Sequence, residues 1–368
     1  MSIMLEVKKF INSEYIGQYA EIDFPVEAIE EAPAKKEKKA KKPAKSIKPR
    51  KKSRDYDDYD DYDDIEAELD REEREEMGLP PLPEDDDDDY EEEYEREPQG
   101  PSYERMRIHY VEEGNGEPLI LIHSISQSIY TWRNIFSRLS LNYRVIALDL
   151  PGHGFSSRPE NFSYTIEEQA KAIELFMDAI NIESAHIMAF SMGSAYALQL
   201  AMDHPERIGK MVLIAPGGIS PEMPMPIKML DSSIFGGVAS MLYGMRTVEK
   251  VLAECYFDLT RTMSPEVVSE YYKTISDRES RRAMRESFHN YEDETVVGRL
   301  RMLDAPVLML QGSEDKWRTS DQSDLYHAAM PFAGFATVRN AGHLLHEEKA
   351  ERVIAAILEY IPAIQPEM

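Results

Sequence analysis

The sequence predicts an α/β protein with a mostly parallel twisted sheet, helices on both faces and a helical cap inserted late in the chain. Three observations predict it. From residue 102 onward short apolar runs alternate with amphipathic helical segments. Several of those runs are apolar throughout, as parallel strands covered on both faces must be. One long helical stretch interrupts the alternation.

The runs read as strands are R-M-R-I-H-Y-V (105–111), P-L-I-L-I (118–122), R-V-I-A-L (144–148), A-H-I-M-A-F (185–190), K-M-V-L-I (210–214), P-V-L-M-L-Q (306–311) and F-A-T-V (335–338). The clearest helix is predicted over 165–180, entered through a capping box of Thr165 and Glu168. Residues 216–303 are helical in texture and rich in methionine, with no convincing strand pair. That stretch is read as the cap, over the C-terminal edge of the sheet where open α/β sheets bind ligands.

The first hundred residues differ. Residues 1–31 carry Leu5, Val7, Phe10, Ile11, Tyr15 and Ile16 at spacings compatible with one short amphipathic helix. Residues 32–101 are expected to be a disordered charged tail, too poor in apolar surface to offset the entropy of ordering. Positions 35–54 hold twelve Lys or Arg against one Glu, and 55–97 hold twenty-five Asp or Glu against three Arg. These blocks contribute +11 and −22 of the formal −27, so much of the acidity is a property of the tail. The D-Y-D-D-Y-D-D-Y-D-D repeat at 55–64 reads first as a solvated spacer, with docking of a basic protein partner or pairing with the Lys block as the alternatives.

An acidic chain argues against nonspecific nucleic-acid binding, which depends on counterion release by a basic surface. Cys255 is the only cysteine, so neither an intrachain disulfide nor a Cys-based zinc site can form. The N-terminus lacks the pattern of a secretory signal, and no run of eighteen apolar residues suggests a membrane span. The expected location is cytoplasmic.

The chemistry concentrates at three strand ends. A-H-I-M-A-F runs directly into S-M-G-S and then the apolar helix A-Y-A-L-Q-L-A-M, which puts Ser191 at a sharp strand-to-helix turn flanked by Ala189 and Gly193. P-V-L-M-L-Q ends in G-S-E-D-K-W, and F-A-T-V is followed by R-N-A-G-H-L-L-H-E-E. Upstream stand L-I-L-I-H-S-I-S (119–126) and L-D-L-P-G-H-G-F-S (148–156). Together these motifs resemble the α/β-hydrolase fold superfamily, in its serine-nucleophile, esterase- or lipase-like branch with a helical cap, across nearly all of 104–361.

The resemblance implies Ser191 as nucleophile, His343 as base and Asp315 as acid, with backbone N–H groups of Ile125 and Met192 as the oxyanion hole. Ala189 and Ser124 stand where the family usually has glycine, and Ser124 would be strained if its φ were positive. Glu314 is the neighbouring alternative to Asp315. No cofactor and no metal are implied. His123 reads as a structural residue bonding loop backbone, Asp149 as structural, and His153 and His346 as loop and surface residues. Trp132 and Trp317 sit near these loops without an assigned role.

The cap methionines read first as adaptable packing, and second as an apolar substrate pocket of Met223, Met225, Phe235, Met241 and Tyr243. The expected function is hydrolysis of a carboxylic ester or thioester with an apolar part through an acyl-enzyme. A carbon–carbon bond hydrolase or an acyltransferase with the same triad is the alternative, as is a weakly active binding or scaffold protein working through its charged tail.

Overall fold

A computed structural model describes residues 17–26, 102–217, 224–232, 234–317 and 320–362. The charged tracts, the apolar positions from Leu5 to Ile16, and Met223 lie outside the described residues.

Eight strands form one sheet: β1 (Gln18–Val26), β2 (Ser102–Glu113), β3 (Pro118–Ile122), β4 (Arg144–Leu148), β5 (Ala185–Phe190), β6 (Ile208–Ile214), β7 (Val307–Gly312) and β8 (Gly334–Val338). Their order is β1-β2-β4-β3-β5-β6-β7-β8. β1 pairs antiparallel with β2 and β2 with β4, and every other neighbouring pair is parallel. In β3 and β4 the last four residues are all buried, so both faces of the central sheet are covered, as the unbroken apolar runs require.

α1 (Ile166–Ala179) follows β4, and α2 (Gly193–Asp203) follows β5 and packs against α1. The predicted box at the start of α1 is half made. Thr165 accepts the Glu168 N–H, but the Glu168 carboxylate turns to the N–H and hydroxyl of Ser163 rather than to its own cap residue.

Between β6 and β7 come seven helices among the described residues: α3 (Met225–Asp231), α4 (Gly236–Leu242), α5 (Met245–Cys255), α6 (Leu259–Thr262), α7 (Pro265–Lys273), α8 (Arg278–His289) and α9 (Glu294–Arg299). They are the inserted cap. α10 (Ser320–Ala329) leads into β8, and α11 (Ala350–Tyr360) closes the described chain.

Within the stretch 1–31, beyond the apolar positions on which a helix is expected, residues 18–26 form the edge strand β1, which is not among the strands read from the sequence. The cause is strict alternation: Ala20, Ile22 and Phe24 are buried, and Tyr19, Glu21 and Asp23 face out. Val26 stands opposite Ser102 in the register. Residues 27–101 therefore leave and rejoin the domain at adjacent positions of one strand pair, and the charged region is an insertion in a hairpin rather than an N-terminal tail.

Candidate active site

β5 delivers Ser191 to the C-terminal edge of the sheet. Its last residue, Phe190, is buried, and the chain reverses at Ser191, whose φ of +50° lies in the left-handed region that a non-glycine residue adopts only under constraint. Two contacts hold the turn. The Ser191 N–H donates to Ile214 O at the end of β6 at 2.9 Å, and Gly193 passes so near β3 that a Cβ there would come within 2.3 Å of His123 O. The family's small residue after the nucleophile is thus required by backbone approach. Ala189, inside β5, has no such demand, and its methyl is simply buried.

His343 and Asp315 arrive from the loops after β8 and β7. His343 Nδ1 lies 2.8 Å from Asp315 Oδ2, and Nε2 lies 2.9 Å from Ser191 Oγ. With Nδ1–H donating to the carboxylate, Nε2 is left to accept the serine hydroxyl proton. The Asp315 carboxylate is fully buried and its Oδ1 accepts the Trp317 N–H at 2.9 Å. Glu314, by contrast, is exposed and bonds Ser313. The Trp317 and Phe190 rings lie 4.9 and 5.0 Å from the imidazole, so Trp317 gains a role that the sequence did not assign: it packs against the histidine.

Ile125 and Met192 line the same cavity as Ser191, and the N–H group of neither is engaged by another group among the described residues. His123 explains the aim of the first. Its Nε2 accepts the Leu150 N–H at 3.0 Å, which leaves Nδ1–H to donate to Ser124 O at 2.7 Å. The C=O and N–H of a trans peptide point oppositely, so holding the Ser124 carbonyl directs the Ile125 N–H the other way. Burial pushes the His123 pKa down and keeps the ring neutral, as this dual role needs. Ser124 is free of the strain foreseen for it, because the left-handed residue of this loop is Ser126, at φ +61°.

Asp149 is buried beneath this loop. It accepts from Ile129 N–H at 2.8 Å and Phe155 N–H at 3.0 Å, and pairs with His109 Nδ1 at 2.7 Å. It is a tie between loops and β2, remote from the serine in role. His153 and His346, read as loop and surface residues, are both buried, and burial lowers each pKa to about 3.

The cavity above Ser191 has a volume of about 50 Å³ and is lined by apolar side chains with uncharged polar ones. Of the five residues proposed for it, Tyr243 is present. Met225, Phe235 and Met241 are 63%, 58% and 75% exposed and are not among its lining residues, and Met223 lies outside the described residues. α3 and α4 are seven residues long and apolar on more than one side, so composition does not reveal that Ile227 lines the cavity while Met225 and Met241 are exposed. The lining that the sequence reading missed had a signal: Val248, Val251, Leu252 and Cys255 of α5 repeat at i, i+3, i+4 and i+7, one face of a helix. Burial raises the Cys255 thiol well above its ordinary range, so it serves here as a small apolar wall.

Fold and site together define an α/β hydrolase with a capped active-site cavity. The chain belongs to the alpha/beta hydrolase fold family, which matches residues 117–350. Its relatives are hydrolases. An uncharacterized hydrolase, YugF, of Bacillus subtilis is 25% identical over 254 residues, 69% of this chain and 92% of that protein. A 2-hydroxy-6-oxononadienedioate/2-hydroxy-6-oxononatrienedioate hydrolase of Paraburkholderia phymatum is 29% identical over 278 residues, covering 70% and 91%. Among solved structures, the carboxylesterase CesB of Bacillus subtilis superposes with a TM-score of 0.61 at 20% identity, over 70% of this chain and 89% of that one. The enol-lactonase of Burkholderia xenovorans gives 0.59 at 23% identity, over 69% and 96%. No helix among the described residues is long and apolar enough to cross a membrane.

Proposed function

We propose that this protein is a serine hydrolase that cleaves an uncharged carboxylic ester or thioester by acyl transfer to Ser191. The observation that carries the reading is the unbroken line from the Ser191 hydroxyl through His343 to Asp315, at 2.9 and 2.8 Å, beside two unengaged backbone N–H groups. His343 takes the hydroxyl proton as Oγ attacks the carbonyl carbon, and Asp315 stabilises the imidazolium. The N–H groups of Ile125 and Met192 receive the developing oxyanion, and His343 returns its proton to the leaving group. Water, deprotonated by His343, then attacks the acyl-enzyme and regenerates Ser191.

The cavity argues for the substrate class. Its polar lining residues, apart from the triad, are Ser124, Ser126, Gln127, Tyr243, Tyr271 and Trp317, and none of the described lining residues is Lys or Arg. A carboxylate buried there would lack a counter-charge, which is costly. The volume of about 50 Å³ suits a short acyl group.

The second reading is carbon–carbon bond hydrolysis, favoured by similarity to relatives whose names specify dienedioates, which are dicarboxylates. Assaying p-nitrophenyl esters of increasing acyl length beside a 2-hydroxy-6-oxo-dienedioate separates the two. We expect kcat/KM to be highest for short acyl chains and negligible for the dicarboxylate. Faster cleavage of the dicarboxylate than of any ester would reverse the assignment.

A further inference from the structure

Joined to the cavity wall through Tyr271 lies a buried charged cluster that acyl transfer itself does not use. The Glu347 carboxylate is fully buried and receives four donors. Oε2 accepts from Arg133 Nη2 at 2.5 Å and from the Tyr256 hydroxyl, and Oε1 accepts from the Tyr271 hydroxyl and from Thr131 Oγ1 at 3.1 Å. Thr131 and Arg133 belong to the turn after β3, whereas Tyr256 and Tyr271 belong to the cap. Burial alone would raise the Glu347 pKa, but Arg133 and the hydrogen bonds outweigh it and hold the carboxyl below its ordinary range.

The short segment between β8 and α11 that holds Glu347 also carries His343, and both chain neighbours of His343 are tied to the cap or to a residue that grips it. The Leu344 N–H donates to Cys255 O at 3.3 Å. The Gly342 N–H donates to Glu348 Oε2 at 2.6 Å, while Glu348 Oε1 accepts the N–H groups of Phe257 and Asp258 at 2.9 and 2.8 Å. Tyr271 closes the circuit, since it lines the cavity and its hydroxyl sits on Glu347.

A buried ion pair is a poor source of stability, because desolvation consumes most of the Coulombic gain and well-packed apolar residues serve as well or better. In some proteins such a pair instead selects one arrangement of the segments it joins. We propose that Glu347 is a positioning residue that locks the cap to the loop bearing His343, so that the imidazole is held at hydrogen-bond distance from Ser191 when the cap is seated. The proposal rests on the serine-hydrolase reading.

The test uses the full chain, with three readouts: the rate of Ser191 labelling by a fluorophosphonate, kcat and KM on p-nitrophenyl acetate, and thermal melting. The variants are Glu347→Gln, the pair Tyr256→Phe with Tyr271→Phe, and the charge-free pair Arg133→Met with Glu347→Leu. In each, labelling and kcat should fall by about tenfold or more with KM nearly constant, as expected when geometry at the reacting atoms is lost while ground-state binding survives. The charge-free pair should melt at or above wild type yet remain slow. A purely structural Glu347 predicts the opposite, namely that the pair which restores stability also restores kcat, and that result overturns the proposal. If Glu347→Gln does not fold, the two tyrosine changes decide, and wild-type kcat in a folded protein overturns it equally. Wild type that takes no label overturns the serine-hydrolase reading and this proposal with it, whereas labelled wild type with equally fast variants removes this proposal alone.

Discussion

Two deletions that look alike on paper should move stability in opposite directions. Removing residues 1–100 takes away β1, whose Ile22 and Phe24 are 3% and 4% exposed, with Phe24 edge-on to Phe162 at 5.1 Å. Losing two such buried side chains costs about 3–6 kcal/mol before any hydrogen bonds of the strand pair are counted. It also leaves Met106 and Ile108 of β2, now only 1% and 0% exposed, without the strand that pairs beside them. Excising only 27–101 and joining Val26 to Ser102 through a short Asn-Gly-containing turn keeps β1 and shortens the connection between two paired strands. Closure entropy scales as (3/2)RT ln n, so replacing about 75 residues with about 4 gains at most roughly 2–3 kcal/mol.

The assay is paired denaturation, by urea and by heat, with turnover on p-nitrophenyl acetate measured in parallel. For a domain of this size roughly 1 kcal/mol moves Tm by 2–4 °C. The truncation should melt about 10 °C or more below the full chain, and the excision should melt at or above it with kcat unchanged. Equal melting of the two would show that β1 contributes nothing to the sheet. Loss of turnover in the excised form would show that 27–101 acts on the site.

Two further outcomes follow from the site and the core. Ser191→Ala should abolish turnover, and Asp315→Asn should lower kcat by about 10⁴-fold, because an amide that donates to Nδ1 forces the wrong tautomer on His343. Steady-state kinetics with melting as control checks both, and a folded Asp315→Asn retaining more than a tenth of wild-type kcat would remove the aspartate from the mechanism. The second concerns pH. His153 and His346 are held neutral with pKa values of about 3, below the ordinary 6.5, so between those limits the unfolded chain binds protons that the native state refuses. Stability contributed by these rings is full above pH 6.5 and declines as pH falls, by about 1.4 kcal/mol per unit for each imidazole. Melting at pH 7.5 and 5.0 measures it, and a Tm that does not fall between them would contradict their burial.

The central strands were legible because covered parallel strands need only local composition: the runs at 118–122 and 144–148 coincide with β3 and β4 at both ends. The serine turn and the two later loops were legible for a related reason, since each motif lies next to its own strand. β1 was not read, although Ala20, Ile22 and Phe24 alternate cleanly, because its partner lies beyond residues 27–101 and a strand is fixed by the partner it finds. The cap gave a divided result. α5 shows its inner face through a full helical repeat, while α3 and α4 are two turns long and offer apolar residues both to the cavity and to solvent.

The hardest residues to read were the most polar. L-L-H-E-E-K after His343 has the composition of an exposed helix start, and taken locally that is the sound inference. Yet His346 packs against Trp132 and Phe190, Glu347 is buried with Arg133, and Glu348 spends its oxygens on backbone N–H groups of the cap and of Gly342. A charged side chain is buried only when donors surround it, and the Glu347 donors come from as far as 216 residues away in sequence. The two consecutive carboxylates thus hold the histidine loop from both sides, since Glu347 joins it to the sheet domain and the cap together, and Glu348 ties the residue before His343 to the cap. A sequence window can show that a histidine follows a strand, but what holds that histidine in place is assembled only when three distant segments close around it.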